Sequence, residues 1–431
     1  MILISIGFFI MLYSLKNFKK AFFSFLIYQI YWFYLAEIIS VSGLPTITIG
    51  MIMNAWFLVL FIIKREKYIN TPVRMPYTTP MLLILFSSLV TCFTGLAGFK
   101  NEFTRAISLA IQLYPSIWIA WYLVETEEDF KYLFKRYTII FLIAALFGIV
   151  EYVFKFNVLV EYKSMLREGG IATYSLANGR GYRVMSVFEH CIGGGMTLGL
   201  YAAFVFMLYV NTKGKMINKD IALVGAFLCI PCVLLTKMRS AMIFTLICLL
   251  GAVDFKKKRF YKLLYLALIL LVCIAPLILQ NSDLFLSLFS SSIQKKLGGS
   301  NISMRFNQLN AVLNLMKISP IGGLGEIFSE FVSNVYTMQA LDYESLWFEQ
   351  IVKHGMLGVI VHVIMIVYSV IVIPKKYKSK ELFILSFAYW AIYTITSVPS
   401  FRLTFYYFIL FYFIKHSKVY LDMKSGSTKK V

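Results

Sequence analysis

Residues 137–154 read YTIIFLIAALFGIVEYVF, an almost unbroken apolar stretch of eighteen residues. Wound as an α-helix, a stretch of that length crosses the ~30 Å hydrocarbon core of a bilayer. Stretches of the same kind recur at residues 1–15, 21–41, 47–63, 81–99, 103–124, 185–210, 221–236, 241–253, 263–279, 356–373, 382–398 and 403–414. The 431 residues are 59% hydrophobic and 17% aromatic, with a mean hydropathy of +0.75, more apolar surface than a soluble protein of this size needs. Backbone groups cannot be left unsatisfied in lipid, so these runs are helices or barrel strands, and their length selects helices. The expected fold is an all-α polytopic membrane protein, one polytopic domain over residues 1–431 with about 12–14 transmembrane helices.

The net charge of +21 would point to nucleic acid in a soluble chain. Here the excess lies in short loops between apolar runs, so it reads as topology and predicts no nucleic-acid partner. Lysine-rich loops follow every odd-numbered run: Lys16–Lys20, Lys64–Lys67, Lys131–Arg136 behind the acidic Glu125–Asp129, Lys213–Lys215, Asp254–Arg259, Lys375–Lys378, and the tail from Lys415. The loops after even-numbered runs are short, or long and mixed in charge. The positive-inside rule then places the odd loops in the cytoplasm and the even loops outside. The apolar start, with no basic region before it, predicts a retained first helix.

Two long polar intervals become external by this reading, residues 155–184 and residues 281–354. So do the tight corners at Lys237–Arg239 and Arg402. Arg167, Arg180, Arg183, Arg239, Arg305 and Arg402 therefore collect on the face where the positive-inside rule does not want them. An arginine fork binds phosphate oxygens in pairs and keeps its charge at any physiological pH. Several converging at a membrane surface would receive a lipid-linked diphosphate. Arg167 and Arg180 read equally well as solvated loop charges. Arg239 does not, because two apolar runs with almost no loop between them hold it at the lipid boundary, where an unpartnered charge is costly.

Within the second interval, Ile302, Phe306, Leu309, Leu313 and Met316 recur at helical spacing, predicting an amphipathic helix over 302–316 with Arg305 near its N-terminal end. Pro320 ends it, and Gly322, Gly323 and Gly325 permit a tight turn. Glu344, just before the next apolar run, is a candidate base for an attacking hydroxyl, or else the partner of a nearby arginine. His190, two helical turns after Arg183, is a candidate site residue or a packing histidine. His354 reads as interfacial.

Several chemistries find no support. There is no P-loop, HExxH, GxSxG or outer-face DxD pair, so ATP hydrolysis, metalloprotease chemistry and metal-dependent glycosyl transfer lack their residues. The six cysteines all sit in or beside apolar runs. Cys229-Ile-Pro-Cys232 has no second pair or histidine cluster with it, and reads as buried helix cysteines rather than a zinc site.

Four stretches, in this order, resemble the O-antigen polymerase and ligase superfamily of bacterial envelope glycosyltransferases. Arg183-Val-Met-Ser-Val-Phe-Glu-His190, followed by Gly193-Gly-Gly, is similar to an Arg…Phe-x-His segment opening a helix. Leu235-Thr-Lys-Met-Arg239-Ser-Ala is similar to a Thr-x-Ser-Arg-Gly-Ala corner. Ser303-Met-Arg305, with Pro320-Ile-Gly-Gly-Leu-Gly325, resembles Arg-x-x-x-Trp…Pro-x-x-Gly-x-Gly. Glu344-Ser-Leu-Trp-Phe-Glu-Gln-Ile-Val-Lys-His-Gly355-Met-Leu-Gly358 resembles His-Asn-x-Tyr-Leu-x-x-Leu-x-Glu-x-Gly-x-x-Gly.

The resemblance implies a GT-C-like fold in the bacterial cytoplasmic (inner) membrane, with its active face periplasmic or extracellular. It implies an undecaprenyl-diphosphate-linked glycan as donor, a glycan hydroxyl as acceptor, and neither metal nor cofactor. A chain-length regulator and a flippase are the implied protein partners. It assigns diphosphate binding to Arg183, Arg239 and Arg305 and makes Glu344 the counterpart of the ligases' histidine; Arg180, His190, Lys237 and Arg402 are the further candidate substrate-binding residues of the outer face. Glutamate there, and Ser345 in place of asparagine, leans the expectation from ligase to polymerase. A lipid-linked glycan flippase is the other reading, and it would predict internal repeats and mid-membrane charges.

Overall fold

The structure, a computed structural model, describes residues 2–31, 37–39, 47–69, 73–161, 181–188, 190–211, 219–280, 302–333, 335–336, 343, 345–396 and 402–425. Arg167, Arg180 and Glu344 lie outside these residues. The chain begins with α1 (Ile2–Lys16), α2 (Phe18–Tyr31), the strands β1 (Glu37–Ile39) and β2 (Ile47–Thr48), then α3 (Ile49–Ile63), α4 (Arg65–Tyr68), α5 (Thr78–Thr94) and α6 (Phe99–Leu123). Next come α7 (Glu127–Phe154), α8 (Cys191–Asn211), α9 (Lys219–Leu235), α10 (Arg239–Leu249) and α11 (Lys258–Gln280). The last third holds α12 (Ile302–Met316), α13 (Phe328–Val332), α14 (Leu346–Val367), α15 (Ile373–Tyr377), α16 (Lys380–Ile395), α17 (Leu403–Lys415) and α18 (Lys418–Lys424). Contacts group the chain into two compact units. Met1–Thr126, Ile302–Val398 and Leu403–Val431 form the first, and Glu127–Asn301 with Pro399–Arg402 the second.

This is an all-α polytopic membrane protein. Among the described residues, four helices are long and apolar enough to cross a membrane: Phe99–Leu123, Glu127–Phe154, Cys191–Asn211 and Leu346–Tyr377. Six shorter apolar helices accompany them. On α7 the outward stripe is Ile139, Ile143, Leu146, Val150 and Val153, all more than 40% exposed, while Phe141, Ala144, Ala145 and Glu151 are buried. Apolar outside and a carboxylate inside is the reverse of a soluble amphipathic helix, and it is stable only where lipid bathes the outer face.

In the second unit α8 is buried along nearly its whole length. Gly195 and Gly199 let α10 pack against it, since a Cβ on Gly195 would sit 2.7 Å from that of Ala241, and one on Gly199 would strike Thr245. This spacing of small residues four apart is how membrane helices approach closely without a hydrophobic drive between them. Cys229 and Cys232 are buried where α9 meets α7, as expected, Sγ of Cys232 lying 3.6 Å from the Ala145 carbonyl.

Three expectations change. The run over 21–41 is not one helix: α2 stops at Tyr31, and Glu37–Ile39 pairs antiparallel with Ile47–Thr48. β-branched Ile and Thr suit that ladder, and Thr48 then caps α3, its hydroxyl accepting from Met51 N at 3.2 Å. The charged loop expected over Lys131–Arg136 is instead part of α7 itself, which has Glu127, Glu128 and Asp129 in its first turn, where the helix dipole favours acids. The helix over 302–316 has the expected bounds, but its buried face is turned. Gln308, Ala311, Val312 and Leu315 face inward, while Phe306 and Leu313 are 61% and 49% exposed. Val312 and Leu315 join Leu324, Phe328, Val332, Tyr343 and Val352 in one apolar cluster, and that cluster decides which face is buried.

Loops of equal parity meet, as an alternating topology requires. In the first unit Lys415 donates to the carbonyls of Trp121 and Val124, and Lys424 pairs with Glu125 at 2.6 Å, joining the loops after the fifth and thirteenth apolar runs. Leu96 N donates to Leu324 O at 2.9 Å, joining the fourth and tenth. In the second unit Val184 N donates to Leu235 O at 3.1 Å, and Lys257 Nζ to Asn211 Oδ1 at 2.6 Å, each again between loops of one parity.

Candidate functional site

The second unit builds a cationic corner from a buried acid. Glu151, near the end of α7, gathers three donors: Tyr182 Oη at 3.1 Å and Met185 N at 3.0 Å on Oε1, and Ser186 N at 2.6 Å on Oε2. Asn157 Nδ2 holds Ser186 O at 2.8 Å, and Ser186 Oγ donates to Ala144 O at 2.6 Å. A Cβ on Gly148 would strike Cys232 Sγ of α9 and come within 3.1 Å of Val184 Cγ1, so both α9 and the loop lie close on α7. With Val184 tied to Leu235, residues 181–188 dock on the end of α9.

The result places Arg183, buried at 5% exposure, with Nη1 3.7 Å from Met238 Sδ, next to Arg239 in the chain. Lys237 reaches back toward Gly181, whose absent Cβ would lie 3.2 Å from its Nζ. Lys155 stacks its ammonium 3.2 Å from the Tyr152 ring centre and 5.7 Å from that of Tyr182. Burial, then the positive charges of Lys155 and Arg183, hold the Lys237 amine below its ordinary pKa. Each cation thus raises the cost of the next, a field that an anion would relieve.

Arg239 opens α10, half-buried at a helix N-terminus where backbone amides also favour negative charge. Strain gathers here too. Of four non-glycine residues with left-handed φ among the described residues, Lys155 (53°), Ser186 (55°) and Lys237 (53°) belong to this corner. Backbones held in such conformations cluster at functional sites.

His190 has a structural role, capping α8: its Nδ1 accepts from Ile192 N at 3.1 Å and its carbonyl from Gly194 N at 2.9 Å. Arg402 is buried and groups with this second unit. Arg305 belongs to the first unit, where its Nη2 donates to Ile395 O at 3.1 Å, at the carbonyl end of α16. Ser345 Oγ caps the same end through Thr394 O at 3.0 Å, so Arg305 and the start of α14 meet there. Glu344, the neighbour of Ser345, lies outside the described residues, as does Arg180.

The first unit carries a second polar centre that sequence reasoning missed. Gly355 (φ 63, ψ −158) breaks α14, and the Pro320–Gly325 turn is inserted into the break. Met356 N and Leu357 N donate to Pro320 O (2.9 Å) and Ile321 O (3.2 Å), while Leu324 N and Gly325 N donate to Val352 O (2.8 Å) and Lys353 O (3.1 Å). Two amides and two carbonyls beside the break are thus taken up by one turn. Gly323 (φ 75) and Gly355 must be glycine, because a Cβ on either would strike the opposite backbone.

Around this junction Lys353 Nζ bridges Glu326 at 2.9 Å and Glu349 at 2.6 Å. His354 Nε2 lies 3.3 Å from Glu326 Oε1, and its Nδ1 lies 2.9 Å from Thr91 Oγ1. Glu326 N in turn donates to buried Glu102 at 2.9 Å. Burial alone would raise the Glu326 carboxyl, but Lys353 and His354 hold it well below the ordinary carboxylate range. The one signal available in the sequence was Lys353 at the position of the superfamily pattern's Glu, four residues after Glu349.

A family model described as O-antigen ligase matches residues 224–363. The matched stretch runs from α9 into α14, takes in Lys237, Arg239 and Arg305, and leaves Arg183 outside. No curated protein matches the chain. The match supports a membrane enzyme of the O-antigen ligase and polymerase superfamily.

Proposed function

We propose that the chain is a polymerase within this superfamily. It would join lipid-diphosphate-linked oligosaccharide repeats into O-antigen, capsule or exopolysaccharide on the outer face of the bacterial cytoplasmic membrane. The observation that carries this reading is the cationic corner: Arg183, Lys237 and Lys155 drawn together, with Arg239 at the head of α10. Such a corner suits the diphosphate of an undecaprenyl-linked donor, with Arg180 and Arg402 proposed to support it.

In the proposed reaction an acceptor hydroxyl oxygen bonds to the anomeric carbon as the bond from that carbon to the diphosphate oxygen breaks. The hydroxyl proton passes to a base, for which Glu344 is proposed, and the lipid diphosphate leaves carrying the electron pair. Fixed cations stabilise the charge growing on the leaving group, with Arg305 and Arg239 proposed for that role, and they need no reorganisation as it forms. The reading invokes neither metal nor cofactor.

The test is Arg239→Ala and Arg183→Ala in producing cells. Gel analysis should show long chains replaced by single repeats, with lipid-linked repeats still present in the outer leaflet. Long chains that persist in both variants refute the polymerase. Loss of outer-leaflet repeats instead favours a flippase, and loss of attachment with chain length intact favours a ligase.

A further inference from the structure

Away from both centres, the first unit opens a cleft of about 490 Å³ between the α1–α2 corner and the end of α3. Lys16, Asn17, Phe18, Lys64, Lys67 and Tyr68 line it together with Glu66 and Ile63. Three lysines against one glutamate make it cationic. Its aromatic wall is ordered, with the Phe18 and Tyr68 ring centres 5.3 Å apart, Lys64 Nζ 5.6 Å over Phe18 and Lys67 Nζ 5.8 Å over Tyr68.

The helices explain why it opens where it does. Trp56 Nε1 donates to Ser14 Oγ at 2.9 Å, and a Cβ on Gly7 would meet Met53 Sδ at 3.2 Å, so α1 and α3 run parallel and both end on the side of the cleft. Immediately before those ends Leu12, Leu15, Ile62 and Ile63 are 62, 57, 51 and 70% exposed. Exposed apolar side chains therefore stand on both helices just before the basic mouth. Lysines at helix C-termini also complement the helix dipoles, but that role requires neither a cleft nor aromatic walls.

We propose that this cleft holds the phosphate of an anionic membrane lipid, its acyl chains lying along Leu12, Leu15, Ile62 and Ile63. A soluble phosphate would use the lysines but not these apolar side chains. Basic recesses between membrane helices, at the level of the headgroups, favour ligands of this kind. The site is independent of glycosyl transfer.

The experiment uses the full chain, purified in detergent, stripped of lipid and offered phosphatidylglycerol or phosphatidylcholine under native mass spectrometry. Wild type should retain phosphatidylglycerol about tenfold better than phosphatidylcholine, and Lys16→Gln with Lys64→Gln should abolish that preference. Lys16→Arg with Lys64→Arg should keep it. If the glutamine pair fails to fold, the single Lys64→Gln variant competed against wild type reads the same difference. An unchanged preference in the glutamine variants overturns the proposal. Inorganic phosphate, tested alone by thermal shift, should leave wild type unmoved; a lysine-dependent shift would make this a soluble-anion site and overturn the lipid.

Discussion

The two polar centres are made of similar parts and balanced in opposite ways. At the Gly355 junction Lys353 lies between Glu326 and Glu349, and His354 and Thr91 complete the set. At the corner of the second unit Arg183, Lys237 and Lys155 crowd together, while Glu151 spends its oxygens on Tyr182, Met185 and Ser186. The first cluster pairs opposite charges and fixes backbone; in the second, neighbouring cations lower the pKa of Lys237, a field that a ligand of opposite sign would ease. The contrast separates the part that builds the scaffold from the part proposed to bind.

Four experiments put that contrast at risk. Arg239→Ala should lower polymer formation about 10²–10³-fold, as loss of one preorganised charge-stabilising donor does, with little change in melting temperature. Transfer assays beside a thermal melt in detergent read both halves of that statement. Lys353→Met should do the reverse, costing about 3 kcal/mol of stability because Glu326 and Glu349 stay largely desolvated without their cation. Adding Glu326→Gln and Glu349→Gln should recover much of that loss, and equal melting of single and triple variants would deny the network its role.

Lys237→Gly should stabilise the ligand-free protein by about 1 kcal/mol, by removing both a left-handed non-glycine residue and a repelled charge, while weakening the donor. A lowered melting temperature would show that Lys237 contributes to the fold. The smallest effect is with acid. The Glu326 carboxyl titrates lower folded than unfolded, so its contribution is whole above the ordinary carboxylate pKa of about 4.3 and fades as pH falls below it. Glu326→Gln should flatten the acid limb of a stability–pH curve. An unchanged limb would remove Glu326 as its source.

Much of the helical fold was legible, because apolar runs and lysine-rich loops are strong local signals. Arg183 and Arg239 stood out for the same reason: a positive charge on the less favoured side of a membrane asks for a partner. The ion network was not legible. Lys353 and Glu349 are four apart on one helix, but Glu326 joins them only after the turn at Pro320 enters the Gly355 break, and no local pattern announces that. Glu151 did leave a signal, a single acid inside an apolar run, which is seldom placed there without a function. The face of α12 was misjudged because apolar residues lie on two of its sides, and only the cluster of Leu324, Phe328 and Val352 chooses between them.

The break in α14 bears on how the chain is made. The turn that satisfies it comes earlier in the sequence, through the backbone of Pro320, Ile321, Leu324 and Gly325. Synthesis proceeds from the N-terminus, so when Gly355 leaves the ribosome its partners already exist. The helix need never wait in lipid with its orphaned amides and carbonyls exposed. A permuted chain that translated residues 346–367 first would meet that exposure, and membrane insertion should stall there.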